Sequence, residues 1–66
     1  MRYYSIHRPV ALGTFPKTVK VNEIYNFDNR VFCEEIGREA WGWIDYNGEL
    51  DEKEAEAYEL VKYGEK

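Results

Sequence analysis

The chain opens on an alternation of apolar and polar positions. Tyr4 and Ile6, continued by Val10, fall on one side, and Tyr3, Ser5 and His7 on the other. That is the two-residue period of a half-buried strand, and it predicts a first strand over residues 2–8. Pro9 and Pro16 then bracket VALGTF. Proline lacks the donor a paired strand needs, so residues 9–17 read as a loop, with Gly13 supplying backbone freedom. In TVKVNEIYNF, Val19, Val21, Tyr25 and Phe27 keep step among β-branched and aromatic residues. This predicts a second strand that closes at the turn-like Asn26-Phe27-Asp28-Asn29.

From Arg30 the pattern supports two readings. Phe32, Ile36, Ala40 and Ile44 recur every four residues, which suits a helix capped by Asp28 and stopped at Gly37. The alternative is two short strands with Gly37 at the turn between them. AWGWIDYNG suits a strand closed by the Asn47-Gly48 turn. LDEKEAEAYELV reads as a helix, with Asp51 as N-cap, Glu54 three residues on, and Leu50 stapling the first turn. On it Ala57 and Val61 share the side of Leu50, and Glu52, Glu56 and Glu59 face away. The predicted fold is α+β, a small antiparallel sheet of three to four strands packed against a C-terminal helix, in one small domain over residues 1–66.

Composition sharpens this picture at three points. Two Trp, six Tyr and three Phe in 66 residues are a large aromatic load. Each ring buries roughly 150–250 Å², so a core this small can be built from rings. Cys33 is the only cysteine, so no disulfide forms within the chain. MRYYSIHRPV has no apolar run of the signal-peptide kind, and no stretch of 18 apolar residues occurs. A cytoplasmic, reducing setting is the expectation. The net charge of −4 conceals a split: residues 1–30 carry a surplus of +3, and residues 31–66 a deficit of −7. Such asymmetry can mark partner surfaces rather than fold, and the simpler reading, which the pattern favours, is that a Glu-rich helix serves solubility.

Chemistry is sparse. One His and one Cys make His7 with Cys33 the sole nucleophile–base pairing, on different elements. Zinc needs about four N or S ligands, and this chain offers two. No Gly-rich phosphate loop is present. Glu34, Glu35 and Glu39 form the carboxylate cluster nearest to what a metal-dependent nuclease requires, and a solvated face explains them more simply. No catalytic residue, metal site or cofactor is therefore assigned. Arg2, Tyr4, His7, Arg8 and Lys17 interleave cations with rings, as single-stranded nucleic-acid binding requires, against an acidic pI of about 4.9 that opposes it. Trp41 and Trp43 share one face of their strand, either as core or as interface anchors.

RYYSIHRPVALGTFPK and EEIGREAWGWIDY, with the trailing EKEAEAYELV, resemble a set of small uncharacterised bacterial proteins from mobile-element and phage-associated regions. Related segments occur inside larger polyvalent plasmid or phage proteins. The resemblance implies an accessory that acts against host defences, as anti-CRISPR proteins do when an acidic face engages a nuclease complex. Glu52, Glu56 and Glu59, with Asp51 nearby, would then imitate phosphates. A four-strand count would also be similar to the half-domain of single-stranded-DNA-binding coactivators that act as dimers.

The reading that follows is a non-enzymatic, acidic protein-binding module using Glu52, Glu56, Glu59, Arg8, Phe15, Lys17 and Arg38. The alternative is a small single-stranded nucleic-acid-binding or DNA-nicking domain, acting as a dimer through Arg2, Tyr4, His7, Arg8 and Lys17. A purely structural domain that dimerises through an uncovered strand edge is the third. The expected partner is a protein, with nucleic acid second, no membrane, and a homodimer open.

Overall fold

The computed structural model describes residues 1–64. Strand β1 (Arg2–Ser5) is followed by a long loop, then by β2 (Val21–Cys33) and β3 (Arg38–Tyr46), helix α1 (Glu52–Ala57) and β4 (Leu60–Lys62). The strands form one antiparallel sheet in the order β2-β3-β1-β4. This is an α+β fold with four strands and a short helix. Among the described residues no helix is long and apolar enough to cross a membrane.

Three sequence expectations are corrected here. The first strand stops at Ser5 rather than residue 8, where the Ser5 hydroxyl donates to the Arg8 carbonyl at 2.5 Å and turns the chain. β1 is a central strand with a core on each of its faces, Tyr3 in one and Tyr4 in the other, so the two rings are equally buried. Its alternation therefore separates two apolar faces rather than core from solvent. The second strand starts later than residue 18 and runs through Asn26–Asn29 to Cys33. The turn-like composition there marks a bulge, because Asn26 pairs with Gly42 and Val31 with Ala40, leaving residues 27–30 opposite Trp41 alone. Residues 30–37 hold no helix. The two-strand reading is the one observed, with Gly37 at positive φ (68°) closing the turn on the Cys33 carbonyl at 2.9 Å.

The third correction concerns the chain's acidic end. Asp51 caps α1 as expected, accepting from the Lys53 amide at 2.8 Å, but the helix ends at Ala57. Glu59 takes a left-handed φ of 58°, which reverses the chain into β4 beside β1. The helix is thus not C-terminal. Val61 belongs to a strand, Ala57 is exposed, and Ala55 is the buried helix residue.

The sheet carries a core on each face. On the helix side Tyr3, Val10, Phe15, Ile44, Tyr46, Leu50, Ala55 and Leu60 pack together. The long loop joins this core and is held there by polar contacts. The Asn26 amide pairs with both backbone groups of Val10 (2.8 and 2.9 Å), and the Tyr46 hydroxyl donates to the Pro16 carbonyl at 2.8 Å. On the other face Tyr4, Cys33, Ile36 and Ala40 form a smaller cluster beneath the tip of the β2–β3 hairpin, against which Trp43 and Val61 rest.

Candidate functional site

Where β3 leads into α1, the chain makes a cleft of about 650 Å³. Its apolar surface is supplied by Tyr3, Leu50, Ala55 and Leu60, which belong to the helix-side core. The Leu50 amide donates to the Tyr3 hydroxyl at 2.9 Å, which ties the β3–α1 connection to the central strand. Around that surface stand Glu49, Asp51, Glu52 and Glu56, with Lys62 from β4. The Lys62 ammonium donates to the Glu49 carboxylate, and that bond holds the Glu49 carboxyl below its ordinary value. Asp51, Glu52 and Glu56 are exposed. A negative rim over an apolar floor is suited to a cationic side chain with an aliphatic stem, as in a Lys- or Arg-bearing segment.

The structure redistributes the residues expected to bind. Glu52 and Glu56 sit on the cleft. Glu59 does not join them, because the left-handed turn aims it at the loop after β1. There it accepts from Arg8 Nη2 at 2.5 Å and lies 3.2 Å from His7 Nε2. The Arg8 bond, more than its charge, lowers the Glu59 carboxyl. Arg8 and Glu59 are thus each other's partners across the fold. Phe15 is packed in the core, so its ring is turned inward. Lys17 and Arg38 are exposed, Lys17 on the loop and Arg38 at the start of β3.

The residues proposed for nucleic acid are likewise dispersed. Tyr4 is 1 % exposed and donates to Glu35 at 2.5 Å. Burial first, and then that hydrogen bond, push its hydroxyl up to about 12, and the same bond lowers Glu35. His7 and Arg8 face Glu59. Arg2 lies 3.8 Å over the Trp43 ring, and Tyr25 stacks on that ring at 5.6 Å with 20° between planes. Trp43 is thereby half-buried, resting on the smaller core with two partners of its own. This trio is an aromatic and cationic cluster that the spacing of Trp41 and Trp43 hinted at, but its partners come from β1 and β2, distant in sequence.

Glu49 and Lys62 were missed as cleft residues. The run Glu49-Leu50-Asp51-Glu52 was a signal for the first, since an acidic bracket around one leucine places charge beside a buried anchor. No local signal exists for Lys62, which reaches Glu49 only because β4 pairs with β1. Cys33 is buried, its thiol raised by desolvation and then by Glu35, which disfavours the thiolate that nucleophilic attack requires. Glu35 and Glu39 are engaged separately, by Tyr4 and by Arg30 at 3.1 Å. Among the described residues no three His, Cys, Asp or Glu side chains are grouped to hold a metal ion.

Residues 1–65 match the protein family described as Defence against restriction A C-terminal. No curated protein and no solved structure matches the chain.

Proposed function

Since the chain belongs to the Defence against restriction A C-terminal family, which supports an accessory role against host restriction, we propose that it serves that role as a protein-binding module. Its partner is a protein of the restriction machinery, and the contact is made by the acidic cleft. The carrying observation is the arrangement of Glu49, Asp51, Glu52 and Glu56 around an apolar floor in one cleft. Restriction proteins handle DNA through basic surfaces, and spaced carboxylates offer such a surface a substitute for phosphate. No chemical step is required of the domain.

The test is binding of the purified chain to a purified restriction endonuclease, with duplex DNA as competitor. The double reversal Glu52→Lys with Glu56→Lys should weaken binding about tenfold or more, because close interfacial charge pairs are worth at least 1.5 kcal/mol. DNA should compete. Unchanged affinity in the double variant removes the cleft from the contact.

A second reading is single-stranded nucleic-acid binding, with stacking on the Arg2, Trp43 and Tyr25 cluster in place of the dispersed set. It predicts affinity that falls steeply with salt and is lost in Tyr25→Ala. A flat salt response argues against it.

A further inference from the structure

The two edges of the sheet are unequal. β4 is three residues long, while β2 is thirteen residues long and pairs with β3 on one side only. A short edge is protected by its length, and a long one presents unpaired donors and acceptors to another strand. β2 is also where apolar side chains face water. Of the seven large hydrophobic residues exposed among those described, four lie on it: Ile24 (43 %), Tyr25 (52 %), Val31 (43 %) and Phe32 (59 %). The same order repeats on either side of the bulge. An aliphatic–aromatic pair, Ile24-Tyr25, stands before the bulge, and a second such pair, Val31-Phe32, stands after it.

We propose that β2 docks antiparallel against β2 of a second copy, joining two four-stranded sheets across a two-fold axis. An antiparallel two-fold sets the run Val21–Asn26 of one copy against Val31–Cys33 of the other, so each apolar pair meets its counterpart and the bulge occupies the centre. The helix side cannot self-associate in this way. From Glu49 to Ala57 it carries five carboxylates against Lys53 alone, and two copies would bring like charges together. The exposed aromatic rings suit a homodimer seam, since such interfaces are richer in Tyr and Phe than the remaining surface. This contact is independent of the acidic cleft, which lies beside β4 and α1.

Sedimentation equilibrium across a hundredfold concentration range tests it. A monomer–dimer equilibrium is expected, with hydrogen exchange in Val21–Cys33 slowing as the dimer forms. Tyr25→Lys and Phe32→Lys place the same charge on both copies at half-exposed positions. Each should raise the dimer dissociation constant about tenfold or more while the circular dichroism spectrum is kept. The Glu52→Lys, Glu56→Lys variant should dimerise like the parent chain, which separates this contact from the cleft. A monomer at every concentration overturns the proposal. So does a dimer whose strength neither β2 substitution changes.

Discussion

Gly42 tests the strand geometry most directly. It sits on β3 opposite Asn26, where the bulge of β2 begins. A Cβ added there would lie 2.3 Å from the Tyr25 carbonyl oxygen, 2.7 Å from Asn26 Oδ1 and 3.0 Å from Asn26 Cα. Two of these three obstacles are backbone, which cannot rotate aside. Overpacking of this kind costs about 1–3 kcal/mol, and rigid backbone contacts place Gly42→Ala at the upper end. The opposing effect, loss of glycine's freedom in the unfolded chain, returns only about 0.4–1 kcal/mol. The net loss is about 2–3 kcal/mol, in a domain whose whole stability is roughly 3–10 kcal/mol for its length. At about 4–8 °C per kcal/mol the melting temperature should fall by roughly 8–24 °C, read by circular dichroism and confirmed by a urea midpoint. Measured against Asn26→Ala, which subtracts the loss of that side chain's two bonds to Val10, Gly42→Ala should keep most of its penalty because the Tyr25 carbonyl remains. A Gly42→Ala protein that melts within about 2 °C of the parent would refute the close approach of β2 and β3 at the bulge.

Three further outcomes follow from individual contacts. Tyr46→Phe leaves the Pro16 carbonyl without its donor inside the core, which should lower stability by about 1–3 kcal/mol in urea titration. Glu59→Gly relieves a left-handed backbone while losing an exposed ion pair with Arg8, and these offset to within about 1 kcal/mol. Glu59→Val should instead cost about 2 kcal/mol or more in the same titration, since a β-branched residue resists that conformation. In acid, Glu35, Glu49 and Glu59 all titrate below their ordinary 4.5 in the folded chain. Their contribution is therefore complete above about pH 4.5 and is lost as pH falls through the lower folded values. Urea midpoints should drop over that window, and Glu35→Gln should flatten the drop. Tyr4, raised from 10 to about 12, acts at the other end: its contribution is lost as pH rises through that interval.

What was legible in the sequence depended on how local the cause was. The Asp51 cap and the strand through Trp41 and Trp43 rest on neighbouring residues, and each is present, whereas the strand-ending turn expected at Asn26–Asn29 is a bulge inside β2. The sequence left open, or misplaced, what a distant partner decides. Phe32, Ile36, Ala40 and Ile44 have helical spacing, yet they are distributed over β2, its turn and β3, because pairing between the two strands outweighs a weak local preference. Leu60-Val61-Lys62 continues the helical pattern of the acidic segment, but docking against β1 converts it to strand and draws Glu59 out of the helix. The cleft was half visible for the same reason. Glu52 and Glu56 follow from the helix, whereas Lys62 and Tyr3 enter through strand pairing that no spacing along the chain encodes.

The +3 and −7 halves of the chain are not carried unchanged into space. Folding sets Arg8 from the basic half against Glu59, and the Thr18 hydroxyl donates to Glu54 at 2.6 Å. Arg30 meets Glu39, and the Met1 ammonium lies 3.5 Å from Asp45. Each contact takes a carboxylate from the acidic half and gives it a partner from the first thirty residues. These pairs are exposed, so each is worth at most about 1 kcal/mol and none explains the fold. Their effect is to sort the charges. Asp51, Glu52 and Glu56 receive no partner from that half and lie together on the cleft. Cations offset the charge of Glu59, Glu39 and Asp45, while Asp51, Glu52 and Glu56 keep theirs on the cleft, which is why reversing Glu52 and Glu56 should matter to a partner far more than reversing the already paired Glu59.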